Sequence, residues 1–442
     1  MAETVFKRKI YDEILEWKKN RSDKYALLIK GARRVGKSTI AEEFAKNEFR
    51  SYILIDFAHT SKAILELFDD TYNLDFFFLQ LQQLTGVRLY EKESVIIFDE
   101  VQLLPKARQA IKYLVADGRY KYIETGALLS IKKNTKDILI PSEEHKISMY
   151  PMDFEEFLMA HNQDALIDKI KECFNKNEAM GLLHEKALSY YKQYLLSGGM
   201  PDSISELLKC NNDFYNYDLS ILNNIIEDYK NDMNNHVNNP SETLKIRKIY
   251  SSLSSQLQNA SKKFQYSVVE QNAKSREFSS PLDWLVESNM VQVCMRVKLP
   301  EKPLLGFADE DTFKVYYSDV GIFNRLINND AKTILLDDMK IYKGIITENY
   351  VANQFKANGI DLLYWQGKRE SEVDFLITSK NDGVIPVEVK ADNNTQSKSL
   401  GIYDSLYSPK YMIRISSKDF GYNPTSKIKS IPLYAAFLIK NL

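Results

Sequence analysis

The sequence predicts an α/β protein whose N-terminal part is a parallel sheet with helices on both faces. Three local patterns carry that expectation. The first is the octet Gly31 to Ser38, GARRVGKS, between an apolar run of strand type, Tyr25 to Ile29, and a stretch of helical spacing, Thr39 to Glu48. The second is Ser94-Val95-Ile96-Ile97-Phe98, which ends in Asp99-Glu100. The third is Tyr120 to Glu124, which leads into Thr125-Gly126. Runs apolar on both faces belong in the middle of a covered parallel sheet. Ligands of such sheets bind beyond the carboxyl ends of the strands, where all three polar ends emerge.

Strand, glycine loop and helix is the setting in which the octet acts as a phosphate-binding loop. Gly31 and Gly36 are expected to take the positive φ angles that let backbone amides wrap a polyphosphate. Ala32, Arg33, Arg34, Val35 and Thr39 complete the nucleotide cradle, and the helix that follows aims free N–H groups at anionic oxygen. Lys37 is placed to reach the β- and γ-phosphates, and the Ser38 hydroxyl to join the Mg²⁺ shell. Asp99 is expected to hold the same metal ion, and Glu100 to polarise the attacking water. Thr125 is placed to sense the γ-phosphate. The plainer alternatives are a glycine turn with an exposed lysine, a solvated acidic turn and an ordinary strand end.

Taken together, GARRVGKST, VIIFDEVQLLP, YIETGALLS and MYPMDFEEF resemble the prokaryotic AAA+ ATPases that carry a nuclease-like C-terminal domain. YLLSGGMPDSI (Tyr194 to Ile204), KVYYSDVGIF (Lys314 to Phe323) and the EVDF and VEVK segments extend the resemblance over nearly the whole chain. It implies ATP and Mg²⁺ as ligands, a helical lid after the core, and self-association of the kind AAA+ relatives show. Many members have a Gly-Arg pair shortly before the Tyr-Pro segment. Here the stretch reads Ser142-Glu143-Glu144-His145-Lys146, a departure that bears on any arginine from this loop.

At 442 residues the chain exceeds what one core usually supports. A hydrophobic content of 44% suffices for packed cores, and a net charge of −1 argues against uniform coating of DNA. Cys173, Cys210 and Cys294 lie far apart without metal-type spacing, as expected of reduced thiols in the cytoplasm. No stretch approaches the ~20 apolar residues of a membrane span. The N-terminal stretch lacks the apolar core of a signal peptide; Ile10, Ile14 and Trp17 predict an amphipathic helix instead.

Four segments are expected. Residues 1–160 form the ATPase core. After a helix over Asp153–Ala160 at the end of the core, residues 161–240 form the helical lid and linker, with helices over Ala165–Leu195 and Asp218–Lys230 and the linker at Asn231–Pro240. Residues 241–300 resemble a winged helix, with helices over Glu242–Leu257 and Pro281–Asn289 and a strand over Val291–Val297. Docking of DNA by the second helix is disfavoured, because it carries Asp283 and Glu287 and no lysine or arginine. Residues 301–442 form a restriction-endonuclease-like α/β domain.

That last segment holds a second candidate site. Glu372 to Ile377 and Pro386 to Lys390 alternate as strands do, which puts Glu388 and Lys390 on one face. If the strands are neighbours, Asp374 and Glu388 are expected to hold a second Mg²⁺ or Mn²⁺, with Lys390 acting on a bound water. The helix Tyr342 to Ala357 sets Gly344, Glu348, Val351 and Phe355 on one face, and an inward acid there needs a partner or a metal. The set resembles the PD-(D/E)xK nuclease fold. Metal-dependent cleavage, a nuclease fold used for binding or assembly, and a charged surface all stay open. Trp365, near Tyr364 and Lys368-Arg369, is either a stacking platform or core. Arg33, Arg34, Arg108 and Arg119 are the candidate arginine fingers. The expected function is ATP hydrolysis coupled to a nuclease-like domain acting on DNA or RNA. Its alternative is a nucleotide-dependent switch that holds a protein or nucleic acid uncut.

Overall fold

The computed structural model describes residues 5–127, 139–235, 239–259, 262–329, 331–336, 338–339, 342–367, 371–391 and 398–442. The chain divides into two compact units, Met1–Tyr150 with Glu287–Asn289, and Pro151–Val286 with Met290–Leu442.

The first unit opens with α1 (Ile10–Asn20), which buries Ile10, Ile14 and Trp17 as their spacing predicts. Then come β1 (Ala26–Lys30), α2 (Lys37–Glu48), β2 (Ser51–Asp56), α3 (Lys62–Leu67), α4 (Leu74–Thr85) and β3 (Ser94–Asp99). The helix α5 (Pro105–Asp117), β4 (Lys121–Gly126) and β5 (Glu144–Ser148) follow. The strands form one sheet in the order β2-β3-β4-β1-β5, parallel throughout. Every residue of β3 and β4 is buried, in β3 because Val95 to Phe98 put apolar side chains on both faces, while β4 buries Lys121, Glu124 and Thr125 as well. On one face Ile53, Ile55, Ile96, Phe98 and Tyr122 pack with Phe77, Leu81, Ile111 and Leu114 of α4 and α5. Because β4 lies between β1 and β3, the ends of these three strands converge on one place. The predicted parallel sheet with flanking helices is what forms here.

The second unit begins with helices. Phe154–Ala160 carries a capping box between Asp153 and Glu156. The single helix expected over Ala165–Leu195 is two, Asp164–Lys176 and Leu183–Ser197, separated at Asn177, which takes φ 56°. Helices Pro201–Lys209 and Ser220–Asn235 follow; the latter runs into the expected linker, whose residues 236–238 lie outside the described ones. Helices Pro240–Gln258, Tyr266–Val269 and Ser275–Glu287 precede β6 (Val291–Val297). The last of these helices starts six residues before Pro281 and includes Arg276. Then β7 (Ala308–Tyr317) pairs antiparallel with β6. Beyond 300 the chain continues through β8 (Leu363–Gln366) and β9 (Glu372–Val373), and β6 also pairs with β8, so the sheet β7-β6-β8-β9 joins segments expected to be separate.

A second sheet, β10-β11-β12-β14-β13, is mixed. It contains β10 (Phe375–Ser379), β11 (Gly383–Val389), β12 (Met412–Ser416), β13 (Gly421–Asn423) and β14 (Ile428–Pro432). The expected strand Glu372 to Ile377 is interrupted at Asp374, where the chain bends from one sheet into the other. The helix Tyr342–Ala357 forms over its predicted span, yet it is buried on every side from Ile345 to Phe355 while Gly344 is exposed. Among the described residues no helix is long and apolar enough to cross a membrane. All three cysteines are free thiols.

The two glycine-containing motifs of this unit interlock. Asp319 Oδ1 accepts the N–H of Ile322 (2.9 Å), capping the helix Val320–Leu326, and Oδ2 accepts the N–H of Gly199 (2.7 Å). A Cβ on Gly321 would lie 2.5 Å from Gly198 N and 2.6 Å from Ser197 C. Backbone thus meets backbone, and no side chain fits between. Burial pushes the Asp319 carboxyl up to about 6, against the pull of its backbone donors. These motifs build the core of the unit.

Candidate nucleotide site

The octet leaves β1 and enters α2 at Lys37. Gly36 takes φ 93°, the left-handed conformation expected of it. Gly31 is a different case: its φ is not positive, and it is needed because a Cβ would lie 2.3 Å from Met149 O. Arg34, with φ 68°, makes the loop's other left-handed turn. Among the described residues no side chain caps the start of α2. A helix N-terminus beside the tight glycine cradle fits a polyphosphate.

Lys37 is buried, and its Nζ donates to Ala32 O (2.8 Å) within the loop. The Ser38 hydroxyl donates to Asp99 Oδ1 (2.7 Å). Thr125, at the end of β4, donates its hydroxyl to the same oxygen. Glu100, at φ 54°, donates its N–H to Thr125 Oγ1 (3.3 Å), and its Oε2 accepts from Gln102 Nε2. The three motifs read from the sequence thus meet through side chains. Ser38 and Asp99 offer the hard oxygen ligands that suit Mg²⁺. Val35 is buried, Thr39 half-buried on the first turn of α2, and Arg33 and Arg34 exposed beside the loop.

One contributor escaped the sequence reading. Arg8 is buried and donates from Nη1 to Val35 O (2.8 Å) and from Nη2 to Tyr150 O (2.8 Å), bracing the loop from behind. Lying before α1, it belongs to no recognisable local pattern.

Two arginine-finger candidates are occupied inside the sheet unit. Arg108 forms a bidentate pair with Glu144 (Nε–Oε1 2.7 Å, Nη2–Oε2 2.9 Å), both side chains buried. Arg119 is held by Asp117 and Asp75. Both guanidiniums are thus engaged by acids of their own unit, Arg108 in a buried pair and Arg119 in a surface one. Near the first pair, Glu124 is fully buried, and neither carboxyl oxygen has a hydrogen-bond partner among the described residues. Burial, then the charge of Glu144, pushes its pKa well up.

The C-terminal candidates come together differently from expectation. β10 and β11 are antiparallel neighbours, as required. Glu348, however, is held by cations. Its Oε1 accepts from Lys314 Nζ (3.0 Å) and Tyr316 OH (2.5 Å), and its Oε2 accepts from Lys262. Lys314 Nζ also meets Glu372 Oε1 at 2.5 Å. Asp374 Oδ2 accepts the N–H of Val389 (2.8 Å), and Lys390 Nζ lies 2.7 Å from Glu388 Oε1. Among the described residues no group of three or more His, Cys, Asp or Glu could hold a metal ion. Each member of the expected set Glu348, Asp374 and Glu388, with Lys390, has a partner within the protein. Ammonium groups already neutralise Glu348, and Lys390 serves as partner to Glu388. Lys314 carried a signal that went unread, a charge inside the run Phe313 to Tyr317, every residue of which is buried.

Electrostatics follow these contacts. Burial pushes the Glu348 carboxyl up, but Lys262 and Lys314 outweigh it and hold the group well below the usual range. Asp374 is raised, by burial first and then by the charge of Glu348. Trp365 is buried edge-on to Tyr403 (5.2 Å) and Tyr407 (5.8 Å), which makes it core; Lys368 and Arg369 lie outside the described residues.

Comparison with known proteins is consistent with the first site. Residues 23–158 match the model of an AAA domain, AAA_14. Residues 188–333 and 343–434 match two domains of unknown function, DUF8612 and DUF4143. No curated protein matches the chain. Among solved structures, a Walker-type ATPase of Pyrococcus abyssi is similar at 18% identity over 74% of this chain and 97% of that one, with a TM-score of 0.41. The Aeropyrum pernix ORC1 protein in complex with DNA is similar at 12% identity over 74% and 93%, with a TM-score of 0.29. The Thermotoga maritima RuvB Holliday junction branch migration motor follows at 10% over 65% and 89%, with a TM-score of 0.30. The loop, the acidic strand end and the parallel sheet thus all lie inside the span, 23–158, that matches the AAA domain model.

Proposed function

We propose that the protein binds and hydrolyses ATP at the Gly31–Ser38 loop and uses the cycle to control a C-terminal domain that holds its partner without cutting it. The supporting observation is the Asp99 carboxylate, whose Oδ1 accepts from both Ser38 (2.7 Å) and Thr125 and so ties the loop to two neighbouring strand ends. Lys37 neutralises charge on the β- and γ-phosphates, and the amides of residues 31–39 orient them. Ser38 and Asp99 hold Mg²⁺, which supplies charge neutralisation when bound. Glu100 orients and deprotonates the attacking water, and Thr125 positions the carboxylates around it. For the C-terminal domain, the lysines at Glu348 favour holding over cleavage.

Two measurements test this reading. Glu100→Gln should keep ATP binding and lower turnover by roughly 10²–10⁴-fold; unchanged turnover removes Glu100 from its role. Labelled single- and double-stranded DNA and RNA with Mg²⁺ or Mn²⁺, with and without ATP, should stay intact. Cleavage that disappears in Asp374→Ala would restore the nuclease reading.

A further inference from the structure

We propose that Lys262 and Lys314 are built-in counter-cations that take the place of a divalent ion at Glu348, Glu372 and Asp374, making the C-terminal domain metal-independent. The inference rests on the reading of that domain as one that holds without cutting.

The geometry is specific. Lys314 projects from β7 with its side chain fully buried and bridges Glu348 Oε1 (3.0 Å) and Glu372 Oε1 (2.5 Å). Lys262 comes from the loop after the helix Pro240–Gln258 and meets the other Glu348 oxygen. Tyr316 OH supplies a further donor to Oε1 (2.5 Å). Both oxygens of Glu348 therefore face donor protons. Asp374 directs one oxygen at the Val389 N–H (2.8 Å).

Charge balance points the same way. Two ammoniums stand against Glu348, Glu372 and Asp374, leaving one surplus negative charge if all ionise. A divalent ion entering here would meet two fixed positive charges at contact distance from its ligand oxygens. In water-poor surroundings that repulsion is strong.

The two lysines differ in how firmly they are held. Lys314 lies on β7, paired with β6, and is fully buried. Lys262 lies on a loop, about a quarter exposed (26%), with φ 49°. Two residues further on, the chain is fastened again: Phe264 N–H donates to Phe313 O (2.9 Å) and the Phe264 ring stacks on Phe313. Lys262 can therefore be replaced with the least damage to the fold.

The test is Mn²⁺ titration of the full-length protein without nucleotide, followed by calorimetry and by the electron paramagnetic signal of free Mn²⁺. The wild type should show no site tighter than about millimolar. Lys262→Met should bind Mn²⁺ roughly tenfold or more tightly, because one of the two opposing charges is gone. Lys262→Arg should behave as the wild type, and Lys262→Met with Glu348→Gln should lose the gain. Micromolar Mn²⁺ binding by the wild type that Glu348→Gln removes would overturn the inference, as would a folded Lys262→Met with no gain. Should Lys262→Met fail to fold, the wild-type titration still decides. ATP turnover, measured in parallel, reports on the ATPase reading alone. A protein that hydrolyses ATP yet binds Mn²⁺ at these acids defeats only the present inference.

Discussion

Arg108→Met separates a structural arginine from a finger that acts on a neighbour's nucleotide. In the structure Arg108 donates to both oxygens of Glu144 (2.7 and 2.9 Å), and its charge also offsets the buried Glu124. Methionine keeps the stem's packing and removes the charge, leaving two buried carboxyls. At pH 7.5 protonating a carboxyl of ordinary pKa costs about 4 kcal/mol, at 1.36 kcal/mol per pH unit. Lys146, 3.3 Å from Glu144, offsets part of that. A net loss of about 3–5 kcal/mol is expected, the usual range for breaking a buried pair from one side. For a unit of this size it corresponds to roughly 6–20 °C in Tm. Arg108→Met with Glu144→Gln should recover most of it, because the uncompensated charge is gone. The assay is thermal unfolding from pH 5 to 8, with ATP turnover measured well below the lowered Tm. Turnover that collapses while Tm stays unchanged would refute the structural assignment.

Three further outcomes are expected. Gly31→Ala puts a Cβ 2.3 Å from Met149 O, on a segment pinned by Met149 N–H to Lys30 O (2.6 Å). It should cost about 1–3 kcal/mol by overpacking and weaken ATP binding in equilibrium titration, and an unchanged Kd would count against the cradle. Glu124→Gln should stabilise the protein increasingly as pH rises above the ordinary glutamate range. The raised native pKa means that wild-type stability is lost as pH climbs through that value, and glutamine removes the titration. A difference in Tm that is flat from pH 5 to 8 would exclude this. Gly321→Ala drives a Cβ into the backbone at Gly198 and Ser197 and should lower stability by about 1–3 kcal/mol or more, read by denaturant unfolding.

Much of the nucleotide site was legible because its chemistry is local. Gly36, Lys37 and Ser38 are consecutive, and the apolar runs before the loop and before Asp99 announce buried parallel strands. Period-two and helical spacing also placed β6 and the helix Tyr342–Ala357 at their observed bounds. Gly31 was read as a residue needing positive φ; its real constraint is the approach of Met149, which is distant in sequence. Arg8 and Glu124 belong to the same class. Each matters through what packs on it, and no neighbour in the chain reports that.

The C-terminal acids mark the boundary most sharply. The sequence alone indicated that Glu348 would be buried and that a buried carboxylate needs a counter-charge, although its helix is buried on every side and not on one face only. Whether the counter-charge is a metal ion or an ammonium was decided by tertiary structure. Lys262 and Lys314 lie 86 and 34 residues away in sequence from Glu348 and reach it through a loop and a sheet. Local sequence sets the helix and the charge it carries; long-range packing decides how deeply that charge is buried and what meets it there.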